Sequence, residues 1–239
     1  MDKLPRIDVD TNQGPRGREV FCMENSELLC SGPVTGARGH LILAHGAGAP
    51  MDSPFMHEMA ARLGELGVRV VRFEFPYMAS RRQGGGKRPP NPQAQLLDCW
   101  RAVWRAVNAR EPGAWAIGGK SMGGRMASLL ADELGAAGLV CLGYPFHAAG
   151  KPERPRAEHL AGLRTPTLIV QGERDALGNR ERVAGYALAP AIRLLWLEAA
   201  DHDLKPLKAS GFSHVQHLQR AAEAVAAFLA AQGGAGGSS

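Results

Sequence analysis

The sequence contains no apolar run that approaches the ~20 residues of a membrane-spanning helix, so no membrane partner is expected. Residues 1–18 are polar and charged and lack the apolar core of a secretory signal. Cysteine is scarce, with four residues in a chain of 239, and no C-x-x-C spacing indicates a zinc site or a disulfide framework. These absences predict a cytoplasmic protein that needs no metal.

Positive charge is in modest excess, with a formal net charge of +5 and an isoelectric point of about 9.3. The basic residues are spread along the chain except for one predicted loop that holds Arg81, Arg82, Lys87 and Arg88. A solvated loop explains this cluster better than a phosphate-binding patch does, so no nucleic-acid partner is predicted. Attraction of an anionic substrate by the same cluster stays open as an alternative.

The apolar pattern predicts one domain, residues 18–231, between two disordered tails, residues 1–17 and the Gly/Ser-rich residues 232–239. After a strand or hairpin near the start, short buried strands alternate with amphipathic helices, which predicts an α/β fold with a mostly parallel sheet and helices on both faces. The strands are predicted over residues 40–44, 68–75, 114–118, 138–142, 167–170 and 192–197. Only about twenty residues separate Tyr144 from Thr167, too few for a helical cap domain.

The segment Gly119-Lys120-Ser121-Met122-Gly123 has the pattern G-x-S-x-G. It follows a predicted strand and precedes a predicted helix that ends near Gly135. A serine on such a tight turn projects its hydroxyl group, and the flanking glycines are needed because a Cβ would collide with the strand and the helix. The context predicts a nucleophilic Ser121.

Serine needs a base, and the base needs a partner that fixes its tautomer. Functional groups of an open α/β sheet gather at the carboxyl ends of its strands, where Asp175 and His202 follow two predicted strands. Both lie downstream of Ser121 in the chain order serine, acid, histidine. Glu173 is the second choice for the acid, and capping of a helix near Asn179 is the structural alternative for Asp175.

The other histidines are less suited to act as the base. His40 precedes its strand, and His214 and His217 fall on the last predicted helix, where a surface position is expected. The oxyanion hole is predicted from the backbone N–H groups of Ala47 and Met122.

Two neighbours of these residues have other expected roles. His45 is expected to hydrogen-bond within its own loop and to shape that loop. Lys120 is expected to be solvated, or to lie near the site as a source of positive potential. Resemblance of Gly119-Lys120-Ser121 to a phosphate-binding loop is discounted, because Ala114 stands where that motif requires glycine.

Together these residues resemble the α/β-hydrolase superfamily over about residues 39–231. Further segments are similar to a family of small, capless, dienelactone-hydrolase-like proteins whose animal relatives include a testis-expressed protein and a chromatin-complex subunit. The segments are HGAGAPMDSP (45–54), FEFPYM (73–78), KRPPN (87–91), GGKSMGGR (118–125), GYPFH (143–147), GERD (172–175) and DHDLKP (201–206). The resemblance implies an eight-stranded sheet and places the nucleophile, acid and base at Ser121, Asp175 and His202.

The predicted function is that of a serine hydrolase that cleaves an ester, a thioester or a related acyl substrate through an acyl-enzyme, without a cofactor. The alternative is a binding or scaffolding module that keeps the fold without catalysis. A missing cap favours an open pocket and a modest-sized or polar substrate. Tyr77, Tyr144, Phe146 and His147 follow strands, and they either line this pocket or pack beneath loops.

Overall fold

The computed structural model describes residues 19–23 and 26–233, so residues 1–17 and most of the predicted C-terminal tail, residues 234–239, lie outside the described residues. The strands are β1 (Glu19–Met23), β2 (Ser26–Ser31), β3 (Gly39–Ala44), β4 (Val68–Phe73), β5 (Trp115–Lys120), β6 (Leu139–Leu142), β7 (His147–Ala148), β8 (Lys151–Pro155), β9 (Thr167–Gly172) and β10 (Ile192–Leu197). The α-helices are α1 (Pro54–Glu65), α2 (Pro76–Arg82), α3 (Gln93–Arg110), α4 (Met122–Ser128), α5 (Ala131–Leu134), α6 (Arg180–Val183) and α7 (His214–Gly233). Glu158–Gly162 and Lys208–Ser210 form 3-10 helices.

Eight of these strands form one sheet in the order β1-β2-β4-β3-β5-β6-β9-β10. The hairpin β1–β2 joins β4 in antiparallel register, and the six strands from β4 to β10 are parallel. The strand order reverses beside β3, because the chain passes outward to β4 and then returns to β5 on the other side. In open α/β sheets, ligand sites lie at the carboxyl ends of the strands at such a reversal.

Alternate side chains of each central strand pack on opposite faces of the sheet. In β3, Leu41 and Leu43 belong to the apolar cluster that includes α1 and α7. Ile42 and Ala44 belong to the other cluster, which includes α3 and α4. Burial on both faces explains the continuous apolar character of these strands in the sequence. The predicted α/β-hydrolase architecture is therefore confirmed.

Three segments differ from the sequence-based expectation. Residues 81 and 82 belong to helix α2 and not to a loop, because Pro76 starts a helix whose Tyr77 and Met78 are buried. The helix expected over residues 122–134 is divided into α4 and α5 near Leu130, whose N–H donates to Ala127 O over a three-residue spacing. The last helix extends to Gly233, so residues 232 and 233 are helical.

The connection between β6 and β9 is short, as the sequence predicts. It holds the two-stranded hairpin β7–β8 and one 3-10 helix, with no helical cap domain. The carboxyl ends of the parallel strands are consequently not covered by a domain from this connection.

Candidate active site

Ser121 occupies the turn between β5 and α4 in a conformation that non-glycine residues rarely adopt. Its backbone angles are φ 51° and ψ −117°. The flanking glycines permit this turn: a Cβ on Gly119 would lie 2.5 Å from the backbone of Gly123, and a Cβ on Gly123 would lie 2.5 Å from the carbonyl oxygen of His45. The sequence therefore brings the end of β3, the end of β5 and the start of α4 into direct backbone contact.

The structure brings Ser121, His202 and Asp175 into one chain of hydrogen bonds. Nε2 of His202 lies 2.8 Å from Oγ of Ser121, and Nδ1 lies 2.7 Å from Oδ2 of Asp175. A carboxylate only accepts, so Nδ1 carries a proton and Nε2 is left to accept the hydroxyl proton of Ser121. The Asp175 side chain is fully buried, whereas the His202 side chain is 26% exposed. This arrangement is able to withdraw the serine proton.

The carboxylate of Asp175 is held by donors on both oxygens. Gln171 Nε2 donates to Oδ2 at 2.8 Å, and the backbone N–H of Leu177 donates to Oδ1 at 2.7 Å. Gln171 is itself buried and bonded to the backbone of Tyr144 and Gly178. These contacts place the carboxylate within reach of His202 without exposing it to solvent.

The alternatives for Asp175 are resolved by its neighbours. Helix α6 is capped by Asn179 itself, whose side chain accepts from Arg182 N at 2.9 Å, so Asp175 is not its cap. Glu173 pairs with Arg180 at 2.7 Å and accepts from Ala199 N at 3.1 Å. Its two carboxylate oxygens thus serve the strand–helix junction and not His202.

His202 lies in a turn that the side chain of Asp201 organises. Oδ1 of Asp201 accepts the backbone N–H groups of Asp203 and Lys205 at 2.9 and 3.0 Å. Ala199 and Leu204, on either side of this turn, have positive φ angles of 52° and 60°. The turn is therefore sharply bent, and it aims the imidazole back over the end of β5.

The loop after β3 is anchored by the ring of His45. The backbone N–H of Phe75 donates to Nε2 at 3.1 Å, so the proton of the neutral ring sits on Nδ1, 2.6 Å from the carbonyl oxygen of Gly46. Burial lowers the pKa of His45, which keeps the ring neutral. The expected bond of His45 within its own loop is confirmed.

The hydrogen bond that holds the carbonyl group of Gly46 also fixes the direction of the N–H group of Ala47. The C=O of Gly46 and the N–H of Ala47 share one planar trans peptide and point in opposite directions. A Cβ on Gly46 would lie 3.7 Å from Cβ of Ser121, so this peptide runs beside the serine. Met122 begins α4, where helical N–H groups have no acceptor within the helix.

Tyr77 supports the same loop from α2, and this contact was not predicted from the sequence. Its hydroxyl group donates to the carbonyl oxygen of Ala47 at 2.9 Å and lies 3.4 Å from that of Gly46. Burial raises the pKa of Tyr77 to about 12, so the phenol keeps its proton at neutral pH. Tyr77 thus packs beneath the loop as one of its two expected roles.

The other three residues considered for the pocket are buried as well. Tyr144 bonds through its hydroxyl group to the Arg156 carbonyl oxygen at 3.1 Å, and Phe146 packs against the ring of Tyr144. His147 borders a cleft of about 210 Å³ that also touches Asp175. Two of the three therefore serve packing, and only His147 faces open space near the hydrogen-bonded chain.

The three histidines that were judged less suited as the base make other contacts. His40 stacks edge-on against Trp115 near the amino end of β3. His214 contacts the carbonyl oxygen of Asp203 at 3.0 Å. His217 was expected at the surface, but only 1% of it is exposed, because its side of α7 packs against the sheet and the carbonyl oxygen of Leu204 lies 3.3 Å from Nδ1.

A second serine–histidine contact has a different geometry. Oγ of Ser128 lies 2.8 Å from Nε2 of His159, but it also donates to the carbonyl oxygen of Arg125 at 2.8 Å. Its hydroxyl proton is thereby committed to a backbone acceptor, and only 2% of Ser128 is exposed. Burial lowers the pKa of His159 to about 4. This pair stabilises the end of α4 and is not open to a substrate.

The basic cluster expected in one loop is partly used for packing. Arg82 bonds to both oxygens of the buried Glu74 and forms an ion pair with Asp52 at 2.9 Å. Arg81 donates to the carbonyl oxygen of Arg88 and lies over the ring of Tyr77. Two of the four charges therefore brace α2 and its loop.

Sequence reasoning missed the buried roles of Gln171 and Lys120. Gln171 is the residue before the end of β9, and its polar character within an apolar strand was the available signal. Lys120 was expected either in solvent or near the site as a source of positive potential. It is 7% exposed, and its ammonium group contacts the turn that carries His202. Among the described residues, no group of three or more His, Cys, Asp or Glu side chains is placed to hold a metal ion.

A family model described as an alpha/beta hydrolase domain matches residues 37–230. The match covers well over half of the chain, which therefore belongs to the alpha/beta hydrolase domain family. In residues 19–23 and 26–233, no helix is both long and apolar enough to cross a membrane.

Solved structures share this fold. One is an alpha-beta serine hydrolase homologue from Coxiella burnetii, with a TM-score of 0.65, 21% identity, and coverage of 93% of this chain and 99% of that chain. Another is an a/b serine hydrolase without lid from Xanthomonas campestris, with a TM-score of 0.65, 18% identity, and coverage of 91% and 97%. The esterase domain of a Rhodothermus marinus protein has a TM-score of 0.63 and 16% identity, with coverage of 90% and 98%.

Proposed function

We propose that this protein is a serine hydrolase that cleaves an ester, a thioester or a related acyl compound. The observation that carries the proposal is the chain of two hydrogen bonds, 2.8 and 2.7 Å long, from Ser121 through His202 to Asp175. It starts at a serine on a strained turn and ends at a buried carboxylate, as general-base activation of a hydroxyl requires.

In the first half-reaction, Oγ of Ser121 attacks the substrate carbonyl carbon while Nε2 of His202 accepts the hydroxyl proton. The tetrahedral intermediate collapses as the imidazolium returns this proton to the leaving group, which departs as an alcohol or a thiol. Asp175 holds Nδ1 and stabilises the imidazolium. The serine then carries the acyl group as an ester.

The developing oxyanion is stabilised by the backbone N–H groups of Ala47 and Met122 in this proposal. His45 supports the Ala47 donor, because it fixes the carbonyl group on the opposite side of the same peptide. In the second half-reaction, His202 takes a proton from a water molecule as the water oxygen attacks the acyl-serine. The imidazolium then returns this proton to Oγ of Ser121 as the acyl–Oγ bond breaks, which releases a carboxylic acid and restores the free enzyme. Neither half-reaction uses an organic cofactor or a metal ion.

The size and polarity of the proposed substrate follow from the uncapped carboxyl edge of the sheet. With no cap domain on the β6–β9 connection, we propose an acyl compound of modest size or polar character. We also propose that the protein belongs to the capless dienelactone-hydrolase-like group, which the motifs from residue 45 to residue 206 support. Its proposed activity is that of a carboxylesterase, and its proposed location is the cytoplasm.

A fluorophosphonate probe is expected to label the purified wild-type protein at Ser121. Phosphonylation requires an activated hydroxyl, so the Ser121→Ala protein is expected to lose labelling while its circular dichroism spectrum stays unchanged. Peptide mass spectrometry identifies the labelled residue. A folded wild-type protein that resists the probe would instead support the alternative of a binding or scaffolding module.

The matched control is Ser128→Ala, which removes the serine of the other serine–histidine contact. Because the Ser128 hydroxyl proton is committed to a carbonyl oxygen, this variant is expected to keep labelling at Ser121. Loss of labelling in Ser128→Ala together with labelling that persists in Ser121→Ala would contradict Ser121 as the proposed nucleophile.

Replacing Tyr77 by phenylalanine is expected to lower kcat about 10-fold and leave KM within about twofold. Loss of an oxyanion donor costs about 10²–10³ in kcat, and loosening its support costs less. Steady-state hydrolysis of p-nitrophenyl acetate measures both constants. Tyr144→Phe removes a buried hydroxyl group away from the loop of Ala47 and serves as the control. A wild-type kcat for Tyr77→Phe would contradict the role of Tyr77 in supporting the loop that carries Ala47.

A further inference from the structure

Lys120 is a buried cation next to the proposed nucleophile, and the proposed mechanism does not use it. Its ammonium group donates to the carbonyl oxygen of His202 at 2.8 Å and forms an ion pair with Asp203 at 3.1 Å. The side chain of Lys120 is only 9% exposed, and the ammonium lies over the ring of Phe55 at 5.5 Å. Burial lowers the pKa of Lys120, while the neighbouring carboxylates oppose this effect.

Burial of a lysine is costly unless its donors are satisfied, so the position needs a reason. The contacts of Nζ supply one, because both bonded acceptors belong to the turn that carries His202. A Cβ on Gly143 would lie 3.3 Å from Nζ of Lys120 and 3.4 Å from Nδ1 of His202. The ammonium and the imidazole thus border the same small space at the end of β6.

The turn of His202 is anchored from two neighbouring elements. From the loop after β9, Arg174 N–H donates to the carbonyl oxygen of Ala200 at 2.9 Å, and Asp175 holds the imidazole. From α7, His217 lies 3.3 Å from the carbonyl oxygen of Leu204. The bond from Lys120 to the backbone carbonyl of His202 adds an anchor from β5, the strand that leads into Ser121.

Charged groups surround the imidazole from several elements. Asp175 lies on the loop after β9, Asp201 and Asp203 lie on the turn itself, and His214 on α7 interacts with Asp203. Lys120, from β5, is a cation that interacts with all three of these carboxylates. Its charge opposes theirs beside the imidazole.

We propose that Lys120 is a positioning residue for the base: it holds the His202 backbone over Ser121, and its charge opposes that of Asp203 beside the imidazole. This inference rests on the proposed function, since it assigns a partner to the same base. It predicts two separable effects of the lysine, one on the geometry of proton transfer and one on its pH dependence.

The test compares Lys120→Met, Asp203→Asn and the double variant in p-nitrophenyl acetate hydrolysis from pH 5 to 9. Lys120→Met is expected to lower kcat about 10-fold with little change in KM, and to move the acid limb of kcat/KM up by about one pH unit, because an opposing cation is lost. Asp203→Asn removes a carboxylate instead, so its acid limb is expected to move down by about half a unit, limited by solvent screening. In the double variant, the acid limb is expected to return toward the wild-type position while kcat stays low.

A merely structural lysine would lower activity without moving the acid limb. That result, or a wild-type kcat in Lys120→Met, overturns the proposal. Asp203 is 73% exposed, so Asp203→Asn is expected to fold even if Lys120→Met does not. An acid limb that stays at the wild-type pH in Asp203→Asn would then overturn the proposal, because the charge of Asp203 would not act on the imidazole.

Failure of this inference can be distinguished from failure of the proposed function. If wild-type Ser121 is labelled by fluorophosphonate and the variants show no shifts, only the role of Lys120 is wrong. If wild-type protein is neither labelled nor active, the proposed function fails. The titration of the His202 ring by NMR in the same three variants then tests the electrostatic part without turnover, and identical titration curves would overturn that part.

Discussion

Replacing Asp175 by asparagine is expected to lower kcat by about 10⁴-fold, the scale of loss when a triad histidine takes the wrong tautomer. The carboxylate accepts from Leu177 N–H and from Gln171 Nε2, as well as from His202. An asparagine has one carbonyl oxygen for these donors. Bonded to Leu177, it turns its NH₂ group toward both His202 and Gln171. Gln171 keeps the carbonyl oxygens of Tyr144 and Gly178 as acceptors, whereas Nδ1 of His202 must now accept, and the proton moves to Nε2.

With the proton on Nε2, His202 cannot accept the hydroxyl proton of Ser121, while the packing around residue 175 is unchanged. Steady-state hydrolysis of p-nitrophenyl acetate measures the loss, and thermal unfolding verifies that the fold remains. Glu173→Gln is the matched control, because Glu173 lies two residues away and bonds only elsewhere. A kcat within 10-fold of the wild type for Asp175→Asn would contradict the proposed role of the acid.

The positions of Ser121, Asp175 and His202 followed from local patterns in the sequence. Each residue comes within a few residues of the end of a largely apolar strand, and the carboxyl ends of parallel strands meet at one edge of the sheet. The glycines that flank Ser121 marked the tight turn, because a Cβ at either position would meet backbone within 3 Å. Chain order along a parallel sheet was therefore enough to bring three distant side chains together.

The side chains that hold the surrounding loops in place could not be predicted in the same way. Lys120 donates to a carbonyl group 82 positions away, and Tyr77 donates to one 30 positions away. Such contacts depend on how the end of β5 and helix α2 pack against loops whose conformations leave no local pattern. For the same reason, the sequence left Lys120 either solvated or near the site, and it suggested a surface position for His217. Burial of a polar side chain is decided by distant neighbours.

Replacing Ser121 by glycine is expected to abolish turnover, by about 10⁶-fold, and at the same time to leave the protein more stable than Ser121→Ala does. At φ 51° and ψ −117°, a residue with a Cβ is strained by roughly 1–3 kcal/mol. Glycine removes this strain but loses about 0.5–1 kcal/mol through the greater freedom of its unfolded chain. The net difference from alanine is about 1 kcal/mol, or about 2–4 °C in Tm for a chain of this size.

A glycine variant that melts above the alanine variant identifies backbone strain at residue 121, because at an ordinary helical position the glycine variant melts below the alanine variant. Ser128 is the last residue of α4, where glycine is less favourable than alanine by up to about 1 kcal/mol, so Ser128→Gly is expected to melt below Ser128→Ala. Differential scanning calorimetry of the four variants measures both differences. If Ser121→Gly melted below Ser121→Ala, the turn would carry no strain. The projection of the Ser121 hydroxyl group would then not depend on a strained backbone.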